Sequence, residues 1–326
     1  MCLLGVLGAC RPFAENAEAP SDAAPPPADV VAPARATILV DDPTSTTVAQ
    51  LHGTKTSLYW IAGGARLKRT EKSGGGITTV LEAKTFGPHG GGIPSIATND
   101  TAVFAIVYGL GVDPFCRNMM AFDGAERDLG YGCGQATAVS VHERFVYFGS
   151  SSAIADDVLY EVDSSSGKER ILTLGAEDPI AETCAAAGRV YLSNGSSIRV
   201  TGQTTFDTTT PFAQDFGTLS SLACDAEGVV WATKSGRLLA QAHGASAPIV
   251  IASGLDDPHA IVLAEGQIFF ATAADERAQH FVRAVPRAGG TERSVWRATD
   301  RIDSFVVDAD AIFVATAPRT IFRVDR

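Results

Sequence analysis

Short apolar runs centred on an aromatic side chain return along the chain at near-even intervals: Leu58-Tyr59-Trp60, Val103-Phe104-Ala105, Val146-Tyr147-Phe148, Val190-Tyr191-Leu192, Val230-Trp231-Ala232, Ile268-Phe269-Phe270 and Ile312-Phe313-Val314. The aromatics at 59, 104, 147, 191, 231, 269 and 313 lie 38 to 45 residues apart. Before each run comes a second apolar stretch and a polar turn, as in SIATNDTAVF, SLACDAEGVVW, IVLAEGQIFF and FVVDADAIFV. Asp, Asn, Glu and Gly at the centre of these segments predict hairpin turns between two strands. A second hairpin follows each run, with alternating residues around a Gly- or Ser-rich turn: RLKRTEKSGGGITTVLEA, VLYEVDSSSGKERILTL and FVRAVPRAGGTERSVWRA. Four short strands per unit of ~40–45 residues make the blade of a β-propeller. Helical solenoids share the period, but β-branched and aromatic clusters with turns every ~10 residues argue against helices.

The seventh unit offers only three strands, SFVVDAD, AIFVATA and TIFRVDR, and the chain then stops at Arg326. An unassigned strand, Ala36-Thr37-Ile38-Leu39-Val40, precedes the first unit. Paired beside Thr320–Val324, it gives the last blade its fourth strand and leaves the ring without an open edge that would invite aggregation. The expected fold is all-β: a single seven-bladed β-propeller of four-stranded antiparallel blades, spanning 36–326 and closed by the strand near Ile38.

The units resemble the YWTD/NHL-type repeats of bacterial cell-envelope propellers, in which a strand reading VYW follows one reading AVD. Leu58-Tyr59-Trp60 and Val306-Val307-Asp308 come closest. The resemblance covers nearly all of the folded part and implies a fold rather than a ligand.

Composition narrows the partners. With 45% hydrophobic and 19% charged residues the chain can bury a large core, which excludes a mainly disordered protein. A net charge of −11 lacks the basic footprint that nucleic acid requires. No apolar run reaches the 18 residues or more expected of a membrane-spanning helix.

Residues 1–10 read MCLLGVLGAC, and Leu7-Gly8-Ala9-Cys10 resembles the lipobox of bacterial lipoproteins. The resemblance implies a truncated lipoprotein signal, cleavage before Cys10 and a lipid on Cys10. A ragged apolar N-terminus without an export role is the alternative. The Pro-, Ala- and acid-rich stretch 11–35 is expected to be a disordered tether holding the propeller off a membrane. Together these place the protein at the bacterial cell envelope, lipid-anchored in the periplasm or at the outer-membrane surface, as a monomer.

Six cysteines stand at 2, 10, 116, 133, 184 and 224. Cleavage removes Cys2 and lipidation uses Cys10, leaving four, which fits two disulfides in an oxidising compartment. A two-residue turn at Gly124-Ala125, closed by Asp123 and Glu126, sets Cys116 opposite Cys133 at a non-hydrogen-bonded site. Cα atoms there approach within ~4.5–5.5 Å, inside disulfide range. Cys184 and Cys224 each precede their unit's aromatic by seven residues, so they are expected at one place on the inner strands of neighbouring blades. Either a bridge stapling the fourth blade to the fifth or two separate buried thiols would fit there. No C-x-x-C or close His spacing points to a metal held by cysteines.

Propellers place ligands at the mouth of the central channel, where each chain segment enters an inner strand. Ten residues before each aromatic stand Ala49, Pro94, Thr137, Ala181, Ser221, His259 and Asp303, with Glu182 one further on. His259 and Asp303, from adjacent blades, form with Glu182 a candidate acid–base or metal-binding rim. The same residues also read as solvated turn formers, helped by Asp-Pro at 178–179 and 257–258. The glycine triplets at 74–76 and 90–92 precede no helix with Lys-Ser/Thr, the serine triplets at 150–152 and 164–166 lie in no G-x-S-x-G elbow, and the histidines form no H-x-x-x-H pair. Three readings compete: a non-catalytic binding scaffold for a protein, peptide or glycan, needing no cofactor; a lactonase- or lyase-like enzyme with a divalent cation in the channel; and a structural spacer.

Overall fold

Every sheet in a propeller is covered on both sides by its neighbours, so its central strands have to be apolar on both faces. Ser57–Ala62, Gly228–Thr233 and Ala311–Thr316 are buried at every position. A computed structural model describes residues 35–83, 92–108, 116–123, 125–133, 135–151, 157–174, 180–273 and 278–326; Cys10 and the stretch 11–34 lie outside them. The described residues form seven four-stranded antiparallel sheets and no helix. Blades one to six span 48–82, 92–133, 135–173, 182–213, 219–252 and 259–298, each with its strands in chain order. The first strands neighbour one another around the ring, ending with Ile302–Val307 against Val48–Gly53. In the seventh blade Ala36–Asp41 is the fourth strand, running antiparallel to Thr320–Asp325 from Ala36↔Val324 to Asp41↔Thr320.

The core is correspondingly divided into seven apolar layers, one in each gap between blades. Tyr59, Phe104, Tyr147, Tyr191, Phe269 and Phe313 all point toward the following blade. Trp231 is the exception. It packs back onto Tyr191 and Phe216, and Val230 takes the forward position. Since successive side chains point to opposite faces, the fifth unit is one residue out of phase with the aromatic spacing.

That phase flip corrects the expected equivalence of Cys184 and Cys224. Cys184 pairs with Tyr191, whereas Cys224 pairs with Val229, because the fifth blade's first turn, held by Asp225, lies one residue earlier relative to its aromatic. Truly equivalent cysteines would point the same way around the ring. Displaced as they are, Cys184 faces forward and Cys224 backward into one layer, and they form a disulfide with Cα atoms 5.9 Å apart. Cys116 and Cys133 are register partners as expected, but the turn differs. Phe122 rather than Asp123 pairs with Glu126, and a bulge between Met119 and Met120 restores the register. The side chains of Cys116 and Cys133 lie outside the described residues.

The joint between first and last blades is sealed by a buried ion pair. Lys68 Nζ, on the third strand of blade one, donates to Asp42 Oδ2 at 2.5 Å and to Thr44 Oγ1 at 2.6 Å. Asp42 also accepts from Ser45 Oγ at 2.5 Å, Thr44 Oγ1 at 2.7 Å and Thr44 N at 3.1 Å. Burial alone would raise the Asp42 carboxyl, but the bonds from Lys68, Ser45 and Thr44 outweigh it and hold the group far below its ordinary range. Lys68→Met leaves that carboxylate buried and unpaired, so it is expected to lower the unfolding free energy by about 3–5 kcal/mol. Asp42's contribution is fully present above its ordinary value of 3.8 and is lost as pH falls below it. Urea melts should therefore show wild type losing more stability between about pH 7 and pH 3 than the Asp42→Asn, Lys68→Met double variant.

Candidate functional site

Each inner strand turns one backbone edge toward the channel, and its N–H and C=O groups need partners. Six of the seven inner strands carry a bulge near the mouth; Glu182–Ala186 does not. At the bulges Gln50 and Ala260 adopt φ of 50° and 52°. A side chain from the preceding blade meets the N–H just beyond. Gln50 Oε1 accepts from Ile96 N at 2.9 Å, Ser221 Oγ from Ile261 N at 3.1 Å, and Ser304 Oγ from Leu51 N at 2.7 Å. Gln50 Nε2 donates to Pro94 O at 2.8 Å, and Ser220 Oγ to Pro258 O at 2.5 Å. A belt of side-chain-to-backbone bonds thus joins inner strand to inner strand.

His259 belongs to this belt. Its Nδ1 lies 2.7 Å from Asp257 O and its Nε2 2.9 Å from Ile302 O, across the seam to the seventh blade. Carbonyls only accept, so each contact is a hydrogen bond where that ring nitrogen carries a proton. Both ring nitrogens face backbone carbonyls. Asp303, half-buried, has its carboxyl raised by burial, opposed by the charges of Arg301, His259 and His280. Arg301 Nε stands 3.3 Å from Asp303 Oδ1. His280 Nδ1 is buried without a hydrogen-bond partner among the described residues.

Glu182 occupies the belt position held by Gln50, Ser221 and Ser304 in other blades, nine residues before the forward-facing side chain. No hydrogen bond or ion pair reaches its carboxylate from the described residues. Burial raises it from 4.5 to about 7. The seam it would have bridged is crossed instead by Cys184–Cys224. The structure therefore brings His259 and Asp303 near each other and leaves Glu182 without contact to either. No group of three His, Cys, Asp or Glu side chains suited to a metal ion occurs among the described residues. The side chain of Thr137 and the Asp178-Pro179 pair lie outside them.

Gln50, Ser304 and His52 were not among the sequence candidates. Burial holds His52, on the same strand as Gln50, down to about 4. A signal for the first two exists: a polar residue interrupts an apolar inner strand in VAQL, LSSL and IDSF.

No family model matches the sequence, and no curated protein matches it. Similarity emerges in the fold. RRP9 WD40 repeats superpose with a TM-score of 0.67 at 9% identity, over 89% of this chain and 97% of that one. YCF48 bound to D1 peptide gives 0.66 at 10% identity over 92% and 97%. Virginiamycin B lyase from Staphylococcus aureus gives 0.65 at 11% identity over 90% and 99%. At such identities the likeness shows a β-propeller and leaves the chemistry open.

Because Glu182 holds its proton more tightly folded than unfolded, stability falls as pH rises from about 4.5 to about 7. Glu182→Gln removes that penalty. Thermal melts should find the variant equal to wild type near about pH 4 and more stable near about pH 8. An equal difference at both would show that the carboxylate is paired or fully hydrated.

Proposed function

We propose that the chain is a non-catalytic binding propeller held at the bacterial cell envelope, presenting its ring to a protein, peptide or glycan. The observation that carries this reading is His259: the best candidate base at the mouth has both ring nitrogens turned to backbone carbonyls, in the same belt where Gln50, Ser220, Ser221 and Ser304 meet their neighbours. These side chains keep the ring together and are not free to polarise a substrate. The lipobox-like Leu7-Gly8-Ala9-Cys10 and the Pro/Ala-rich stretch after it support an anchor and a spacer.

A second reading has one specific observation in its favour. Two carboxyls at the mouth, Glu182 and Asp303, are both shifted upward by burial, as acid–base groups are in enzymes. In that reading His259, Asp303 and Glu182, which do not meet in this structure, would have to draw together around a divalent cation, as in a metal-dependent hydrolase or lyase.

Metal analysis of the purified protein and of His259→Ala separates the two. The scaffold reading expects no stoichiometric metal in either, with the variant less stable by about 1–3 kcal/mol from the unpaired carbonyls. A bound metal lost on His259→Ala overturns it. The anchor is tested at the native locus: wild type is expected in the membrane fraction with lipid on Cys10, and Cys10→Ser in the soluble fraction. Wild type in the soluble fraction would remove the anchor.

A further inference from the structure

Between the fifth and sixth blades, at the end bearing their hairpin turns, the surface opens into a groove of about 460 Å³. Its walls are mostly small side chains, Ala240, Ala242, Ala247 and Ala288, with Ile249 and Arg287. Ile249 begins Ile249–Ala252, the outermost strand of the fifth blade, so one backbone edge of that strand faces solvent. Ile249 and Val250 are each 57% exposed. No charged side chain occurs between His243 and Asp256. Other outer strands carry the residues that block edge pairing: Glu82, Glu169 with Arg170, Arg293 with Arg297, Asp41, and Pro211. The fifth blade's edge strand is short and follows Pro248, but within it there is neither charge nor proline, and it adjoins a groove.

We propose that this edge and groove bind an extended segment of a partner protein. The segment adds a fifth strand beside Ile249–Ala252, seats one bulky apolar side chain in the groove, and sets a Lys or Arg against Glu227. A free main-chain edge is complementary to another extended main chain. Alanine walls leave the space that a large apolar side chain fills. The charge at the rim selects a cation: Arg287 is shared between Asp225 and Glu227, with Nε 3.2 Å from Glu227 Oε2, which leaves one carboxylate in excess. Glu227 is 69% exposed. A second copy of this chain does not fit the same description, because its own edge and flanks, 244–255, carry no cation.

This proposal rests on the binding reading and deepens it. The probe is a fluorescein-labelled peptide, Lys-Val-Phe-Val-Thr-Lys, titrated into the full chain and followed by anisotropy, with amide exchange over 249–252 as the positional readout. Saturable binding that slows exchange there is expected. Val250→Lys should weaken it at least about tenfold without moving the thermal melt, since it charges an exposed edge. Glu227→Gln should weaken it by about threefold, and only for the Lys-bearing peptide rather than its Gln counterpart. A peptide N-methylated along its pairing edge should not bind. Absence of saturable binding overturns the proposal. Binding that Val250→Lys leaves intact overturns it too, while leaving the scaffold reading in place. A dimer of the chain itself, dissolved by Val250→Lys in sedimentation, overturns it in favour of self-pairing. The scaffold reading falls separately, on a metal bound through His259.

Discussion

Seven strands turn one backbone edge each toward the axis of the ring, and those edges have no further strand to pair with. Unmet N–H and C=O groups in a narrow channel would be costly. The chain meets the constraint with side chains of the neighbouring inner strand: Gln50 engages both its amide oxygen and its amide nitrogen, Ser221 and Ser304 accept, and His259 reaches a carbonyl one blade on. The bulges near the mouth belong to the same solution, since they present an N–H to the preceding blade. Gln50, Ser220, Ser221, Ser304 and His259 at the mouth are therefore turned to backbone partners.

Five of the seams show the chemistry used. Amide and hydroxyl bonds join blades seven, one and two, hydroxyls join five and six, and an imidazole joins six to seven. Between four and five, where the inner strand has no bulge and a carboxylate stands at the belt position, a disulfide takes over. In the chain-entropy description a crosslink spanning 40 residues stabilises by about 4 kcal/mol. The outer joints rely on charge: Lys72 with Asp308 between blades one and seven, Arg326 with Glu265 between seven and six, and Arg287 with Glu227 between six and five.

The architecture was legible because recurrence and closure leave long-range marks. Seven aromatic runs and one surplus strand before the first of them suffice to count blades and to place Ala36–Asp41 beside Thr320–Asp325. Phase was not legible. A single residue more or less in a turn reverses which face a side chain takes, and nothing in Val230-Trp231 says that the valine rather than the tryptophan faces forward. Cys116 stands opposite Cys133 in backbone register as expected although the pair nearest the turn differs, since a bulge compensates. At the mouth, His259 and Asp303 could be singled out as polar, but the imidazole faces backbone carbonyls, which sequence spacing does not reveal.

The closing strand also determines how the ring responds to load. Any pull transmitted through the residues before Arg35 enters the seventh sheet at Ala36, the end that pairs with Val324. An antiparallel pair drawn from one end unzips rung by rung instead of shearing all at once. Peeling would run from Ala36 to Asp41 and then stop at Asp42, where the Lys68 ammonium clamps the strand's far end inside the joint. The Asp42–Lys68 pair would then be the last contact of that segment to yield.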